Sequence, residues 1–343
     1  MDVEGLPMGG NPTDLRHIPG RASLRYSPRF NVSSLNDFRR RGDPPADAVA
    51  AELHRRGQLT NIHDLLGVVR ELAATADPPP RPITPTPTST STTARSSNEV
   101  FRAFLRESAR VPAWADRAKI DRAQRVHCVH TPFMGLSLFS GSLVGGSQFR
   151  TAAVVTAAAG NITSDPTRRI RETGLLLAAL AFPGSLVDAG AEAHDSLTRV
   201  RLLHAALRHW LPRSGRLDRH SDLVPAEVYV EGELPLNQHD LALTLGIFCY
   251  LNLRSLRRMG VVLSSADLDA YVHMWRYAGH VLGIDEALCP RSLEEQEEFM
   301  RASMLHQGDP DSIGGAGTEK GCEEKGCEER EGERTGGWTK GGE

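Results

Sequence analysis

Apolar residues recur at spacings of three and four along most of the chain, and that period predicts helices. Between Glu99 and Gln307 the pattern marks segments at about 99–109, 115–130, 135–158, 166–182, 194–211, 237–257, 265–282 and 291–305. The two-residue alternation of a half-buried strand is scarce, with AEVYVE at 226–231 the one short candidate. Upstream, Ser34 is placed as the N-cap of a helix starting LNDFRRRG. Pro45 suits the first turn of the next helix, ADAVAAELHRRG, because its missing N–H would have no partner there. A further helix is predicted through IHDLLGVVREL.

Three stretches lack any such period. Residues 1–33 are rich in Gly and Pro and read as a flexible N-terminal arm. Residues 78–98 are a Pro/Ser/Thr-rich segment, and residues 308–343 a Gly/Glu-rich tail; neither can bury a core, so both are expected to be disordered. The remainder reads as an all-α protein. Its main domain is one multi-helix bundle over 99–307, with the helices of 34–77 packing on it.

Composition narrows the picture. Hydrophobic residues make up 40 % of the 343 and aromatics 6 %, so the core rests on Leu, Ala and Val. A net charge of −3 with dispersed Lys and Arg gives no basic stripe, which argues against a nucleic-acid partner. No run approaches the roughly 20 apolar residues of a membrane span. Phe133–Ser147 comes nearest and reads as a buried core helix, with a helix grazing a membrane surface as the alternative. The five cysteines form no C-x-x-C pair, which argues against both a thiolate zinc site and a disulfide framework. The N-terminus has no charged-then-apolar leader, and a cytoplasmic location is expected, with peripheral membrane contact as the alternative.

The chain contains no H-E-x-x-H, E-x-x-H, G-x-G-x-x-G, Walker loop or G-x-S-x-G, so zinc-protease, di-iron, nucleotide and serine-hydrolase chemistry lose support. The informative segment is TRVRLLHAALRHWL, 198–211. At about 100° per residue, Val200, His204, Leu207 and Leu211 form one stripe with His204 at its centre. Arg201 and Arg208 share a flank, and His209 points to the polar side. A histidine so placed is either a neutral core residue or an axial ligand to haem iron, for which an apolar wall is suited. The two arginines either solvate the helix edge or pair with haem propionates.

These residues resemble the family of the rubber oxygenases and the mycophenolic-acid-pathway oxygenase. RVRLLHAALR (199–208) is similar to its signature helix. RGDPPADAVAAEL (41–53), VPAWAD (111–116), GSLVGG (141–146), RIRETG (169–174), PLNQHDL (235–241) and MWRYAGHVLGI (274–284) follow the family's order. The resemblance implies a helical, haem b-dependent oxygenase with its haem pocket between helices. Such an enzyme uses O2 to cleave or oxygenate a C=C bond in an apolar, isoprenoid or lipid-like substrate. It implies His204 as proximal iron ligand, with Arg169 and Thr173 beside the haem. Candidate pocket lining comes from Phe133–Val144 and Leu175–Phe182. Two departures stand out. The family's pocket Glu, upstream of the Arg…Thr motif, has no counterpart in 150–171, so no catalytic residue is assigned, and Glu172 stands where rubber oxygenases carry a basic residue. Only one helical segment follows MWRYAGHVLGI before the tail. A non-catalytic haem protein and a haem-free structural relative are the alternatives.

Overall fold

A computed structural model describes residues 26–58, 92–138, 166–214 and 232–307, with side chains from residue 99 in the second segment and from 171 in the third. The strand candidate at 226–231, the helix over 62–72, most of the Pro/Ser/Thr segment and the tail lie outside these residues.

The helices are α1 (Val32–Arg39), α2 (Pro44–Arg55), α3 (Thr92–Ser108), α4 (Arg117–Val129), α5 (Thr131–Ser137) and α6 (Pro166–Ala181). They continue with α7 (Glu192–Trp210), α8 (Gln238–Gly246), α9 (Asn252–Arg258), α10 (Ser265–Val281) and α11 (Leu293–Gln307). Among the described residues there is no strand, and the protein is all-α as its periodicity predicts. No described helix is long and apolar enough to cross a membrane.

Local chemistry sets the helix ends. Asp116 caps α4 by accepting from the amides of Ala118 and Lys119. Ser264 and Asp267 form a reciprocal capping box at α10. Pro44 and Pro45 occupy the first positions of α2, as expected. Two boundaries differ from the sequence reading: α3 starts at Thr92, inside the Pro/Ser/Thr segment read as disordered, rather than near residue 99, and α1 starts ahead of Ser34. Asn31, not Ser34, caps α1; Ser34 stands three residues in, its hydroxyl accepting from the Asn31 amide at 3.0 Å while the Asn31 side chain accepts from Ser34. Either hydroxyl-or-amide residue could start the helix, and the reciprocal pair decides it.

The core gathers around two helices. α10 lies along α4 and buries Tyr271, Met274, Trp275, Tyr277 and Ala278. α7 touches α2, α6 and α10, and only its Glu192 and Arg199 are exposed. A five-residue π-turn, Ile247–Leu251, joins α8 to α9, so 238–258 runs as one rod that α11 flanks. Close packing demands glycine at two helical sites. A Cβ on Gly246 would strike Met300 and Gln296, and one on Gly279 would come within 2.8 Å of Leu245. The segment read as a buried core helix is described only as far as residue 138; there α5 buries Met134 and Ser137 but leaves Phe133 and Leu136 exposed.

Candidate functional site

The site is built on α7. Its face toward α2 carries Arg201 and Arg208, and both are buried, at 3 % and 6 % exposure. Arg201 grips Asp43 with two hydrogen bonds, Nε to Oδ2 at 2.6 Å and Nη2 to Oδ1 at 2.9 Å. Its Nη1 donates to Glu107 at 2.9 Å and to the Ser108 hydroxyl at 3.4 Å. Burial works against the charge of Arg201, but the Asp43 hydrogen bonds and the Asp43 and Glu107 charges outweigh it and raise its pKa. Arg208 donates from Nε to Asp47 at 2.9 Å and from Nη1 to the carbonyl of Leu236. Leu236 holds a left-handed φ of 54°, unusual for a branched residue, and the bound guanidinium faces its carbonyl.

Helix periodicity leaves two readings for these arginines, a solvated edge or a propionate partner. The geometry shows neither as a free group: both lie inside, engaged by carboxylates of the chain itself. The surroundings are shaped for the pairs. A Cβ on Gly42 would run into Asp47 and Arg208, and one on Gly283, at φ +74°, into Asp43 and Arg201. Gln238 ties the two glycine turns together, its Nε2 donating to the carbonyls of Gly42 at 2.8 Å and Gly283 at 3.0 Å. The chain segments around 41–47, 201–208, 236–238 and 283–285 thus form one polar joint.

His204 sits off the most buried stripe of α7, which runs through His194, Thr198, Arg201, Ala205 and Arg208. It is half-buried, as are Val200 and Leu203, and Leu203 packs with buried Leu207 and Leu211. The stripe read from periodicity is therefore an apolar flank rather than the deepest face. His209 turns toward α2, with its ring 4.9 Å from that of His54.

α6 packs against α7 and carries Arg169 and Thr173 one turn apart on a continuous helix. Thr173 is half-buried; the side chain of Arg169 lies outside the described ones. Glu172 is exposed. Of the expected pocket lining, Leu177 is buried, while Leu175 and Phe182 are exposed. No cluster of three or more His, Cys, Asp or Glu capable of holding a metal ion occurs among the described residues.

Sequence reasoning did not single out Asp43 or Asp47 for their chemistry. The signal was present as two carboxylates four residues apart at a Pro-Pro helix start, but their partners lie 158 and 161 residues away. It also passed over His239. Among the described residues, Gln307 donates to His239 Nδ1 at 2.7 Å and to Asp240 at 3.0 Å, and His239 Nε2 meets Ser303 at 3.0 Å.

The described residues form an all-helical bundle in which α7, carrying His194, His204 and His209, packs against α6, carrying Arg169 and Thr173 one turn apart. The chain belongs to the family described as ER-bound oxygenase mpaB/B'/Rubber oxygenase, catalytic domain, which matches residues 129–317, more than half its length. Among individual proteins it is similar to the Rubber oxygenase of Streptomyces sp. (strain K30), 28 % identical over 197 residues. That match covers 55 % of this chain and 44 % of the relative, so it spans less than half of the relative's length. The solved structure of latex clearing protein LCP in the closed state shares the fold, with a TM-score of 0.60 at 21 % identity over 84 % of this chain and 72 % of that one.

Proposed function

We propose that the protein is a haem b-dependent oxygenase that uses O2 to cleave or oxygenate a C=C bond in an apolar, isoprenoid or lipid-like substrate. The observation that carries this reading is His204. It is a half-buried imidazole on α7, which packs against α2, α6 and α10, flanked by Val200 and Leu203 and within the stretch that the family match covers. An imidazole on an apolar wall fits a haem, which needs one protein nitrogen and carbon surfaces for its ring. Bound haem b would supply the iron at which O2 is activated.

The chain's own residues have distinct parts in this proposal. His204 would hold the iron. Thr173 and Arg169 lie one turn apart on α6, the helix packed against α7. Arg201 and Arg208, clamped to Asp43 and Asp47, hold α7 in place on α2 and so fix the position of His204 without touching the cofactor. A hydrocarbon substrate would be held through dispersion and the hydrophobic effect alone. A second reading, a haem-binding protein without oxygenase activity, is favoured by Glu172 standing where the resemblance places a basic group and by the lack of a Glu in 150–171.

Haemin titration of the purified chain, wild type against His204→Ala, tests the proposal. A stoichiometric Soret band that is lost or shifted in the variant is the expected result; its absence in folded wild type rules out both haem readings and leaves a structural relative. O2 uptake with a polyisoprenoid alkene then separates oxygenase from carrier.

A further inference from the structure

Single apolar side chains on a protein surface are ordinary, whereas several gathered on neighbouring elements call for a partner. Eight large apolar side chains are exposed among the described residues, and five of them fall on α4, α5 and α6 or at their ends. They are Val129 at the end of α4, Phe133 and Leu136 on α5, Leu175 on α6 and Phe182 directly after it. α5 adjoins both α6 and α9. It shares the wall of one apolar cavity with α6, and its Ser137 hydroxyl donates to the carbonyl of Asn252, at the start of α9, at 3.1 Å. A sixth exposed side chain follows α9. Gly260, at φ +83°, ends that helix and turns the chain, so that Val261 and Leu263 pack against the core while Val262 between them is 89 % exposed.

The charges on these elements are of one kind. Arg125 stands one turn before Val129, and Arg171 one turn before Leu175; both are exposed. Arg254 and Arg258 are one turn apart on α9, and Val262 follows four residues later. None of these four arginines has a carboxylate partner among the described residues, whereas Arg55, Arg117 and Arg122 each grip one. Arg254 lies over the Tyr250 ring, and Arg258 is held below its ordinary pKa by burial and by the Arg254 charge. α5 and α9 contain no Asp or Glu. Glu297 of α11, whose charge reaches Tyr250, is engaged by Arg301. On α6, at about 100° per residue, Arg171, Leu175, Ala178 and Phe182 form one exposed stripe, with Glu172 at its edge.

We propose that α5, the exposed stripe of α6 and the turn after α9 form a face that docks on an anionic lipid surface. The occupant follows from the two kinds of side chain. A bilayer interface takes apolar side chains into its acyl boundary while its anionic headgroups meet arginines. A second copy of this chain would set the arginines against themselves across a two-fold axis, with no acidic residue on α5 or α9 to offset the repulsion. The whole chain carries a net charge of −3, so attraction to an anionic surface has to come from a local face. Docking needs neither iron nor substrate, so it holds or fails separately from haem binding at His204.

The test is co-sedimentation of the purified full chain with vesicles of phosphatidylcholine alone, or with about a third phosphatidylserine. The expected result is binding to the mixed vesicles, none to the neutral ones, and loss of binding at about 1 M salt, where charges are screened within about 3 Å. An arginine at such a surface contributes about fivefold, so Arg254→Gln with Arg258→Gln is expected to weaken binding about 25-fold. Val262→Asp changes a side chain that packs on nothing, keeps the thermal midpoint, and is expected to weaken binding at least tenfold. Arg106→Gln, at an exposed arginine on α3, is expected to change nothing. The proposal is overturned by a lack of binding to the mixed vesicles, or by binding that survives both Val262→Asp and the arginine pair. A loss with Arg106→Gln as large as with the α9 pair also overturns it, as adsorption without a docking face. So does a concentration-dependent dimer that Val262→Asp dissolves in a chain that ignores vesicles, which assigns the face to a second copy.

Discussion

Arg201 shows how much a single side chain depends on its surroundings. Its guanidinium group is nearly sealed from water, and two carboxylates and a hydroxyl satisfy it. Removing one partner of such a pair strands a charge in a medium that solvates it poorly. Asp43→Ala is therefore expected to cost about 3–5 kcal/mol, read from the urea midpoint at constant slope. Replacing both members, Asp43→Leu with Arg201→Met, should recover most of that loss, because no charge is left stranded. Asp47→Ala should cost less, since the Asp47 carboxylate is about a third exposed and water can replace it. A cost for Asp47→Ala equal to that for Asp43→Ala would contradict this burial-based ranking. None of this was legible from α7 alone. Arg at i and i+7 reads as a wet flank unless the distant Asp43 and Asp47 are brought against it.

At the scale of the element, the sequence was a good guide. The predicted segments at 166–182, 194–211, 237–257 and 265–282 correspond to α6, α7, the α8–α9 rod and α10. Long apolar periods have one way to bury their stripe, and capping residues mark where each must stop. The misses have local causes. At α1 two capping residues compete, and the reciprocal Asn31–Ser34 pair wins. Asn31→Ala should lower stability by about 1 kcal/mol in chemical denaturation, whereas an N-cap at Ser34 would leave Asn31 dispensable. The π-turn at Ile247–Leu251 has no signature in the sequence, for it inserts one turn without interrupting the apolar run. Gly246, just before it, packs under Met300; Gly246→Ala should destabilise the fold by more than 1 kcal/mol through overpacking, reversing the usual gain from Gly to Ala in a helix.

For the whole molecule, buried histidines set the response to acid. Burial lowers the pKa of His127 to about 4 and that of His306 to about 4, and carries His239 well below its ordinary value. The Arg39 charge adds to the effect on His306, and the His306 and Arg39 charges to that on His239. The unfolded chain binds protons at these sites near pH 6.5, while in the folded protein His127 and His306 do not until near pH 4 and His239 not until well below its ordinary value. Stability should therefore be fully present above pH 6.5 and fall as pH drops from 6.5 toward 4. Denaturant midpoints at pH 7.5, 6 and 5 check this, and a flat profile would show that these imidazoles stay solvated. His127→Phe should make the decline shallower. Membership of the oxygenase family is also a property at this scale, since it rests on the order of motifs across more than half the chain.

By itself the sequence determined the helical class, the position of most helices and the family, because periodicity, caps and motif order are written along the chain. It also marked out His204, Arg169 and Thr173 through the resemblance. Only the tertiary structure decided which face of α7 is buried deepest and that Arg201 and Arg208 close on Asp43 and Asp47. The reason is physical. A helix is stabilised by neighbours three and four residues away, whereas an ion pair or a cavity is made by residues that only the packed fold brings within reach of one another.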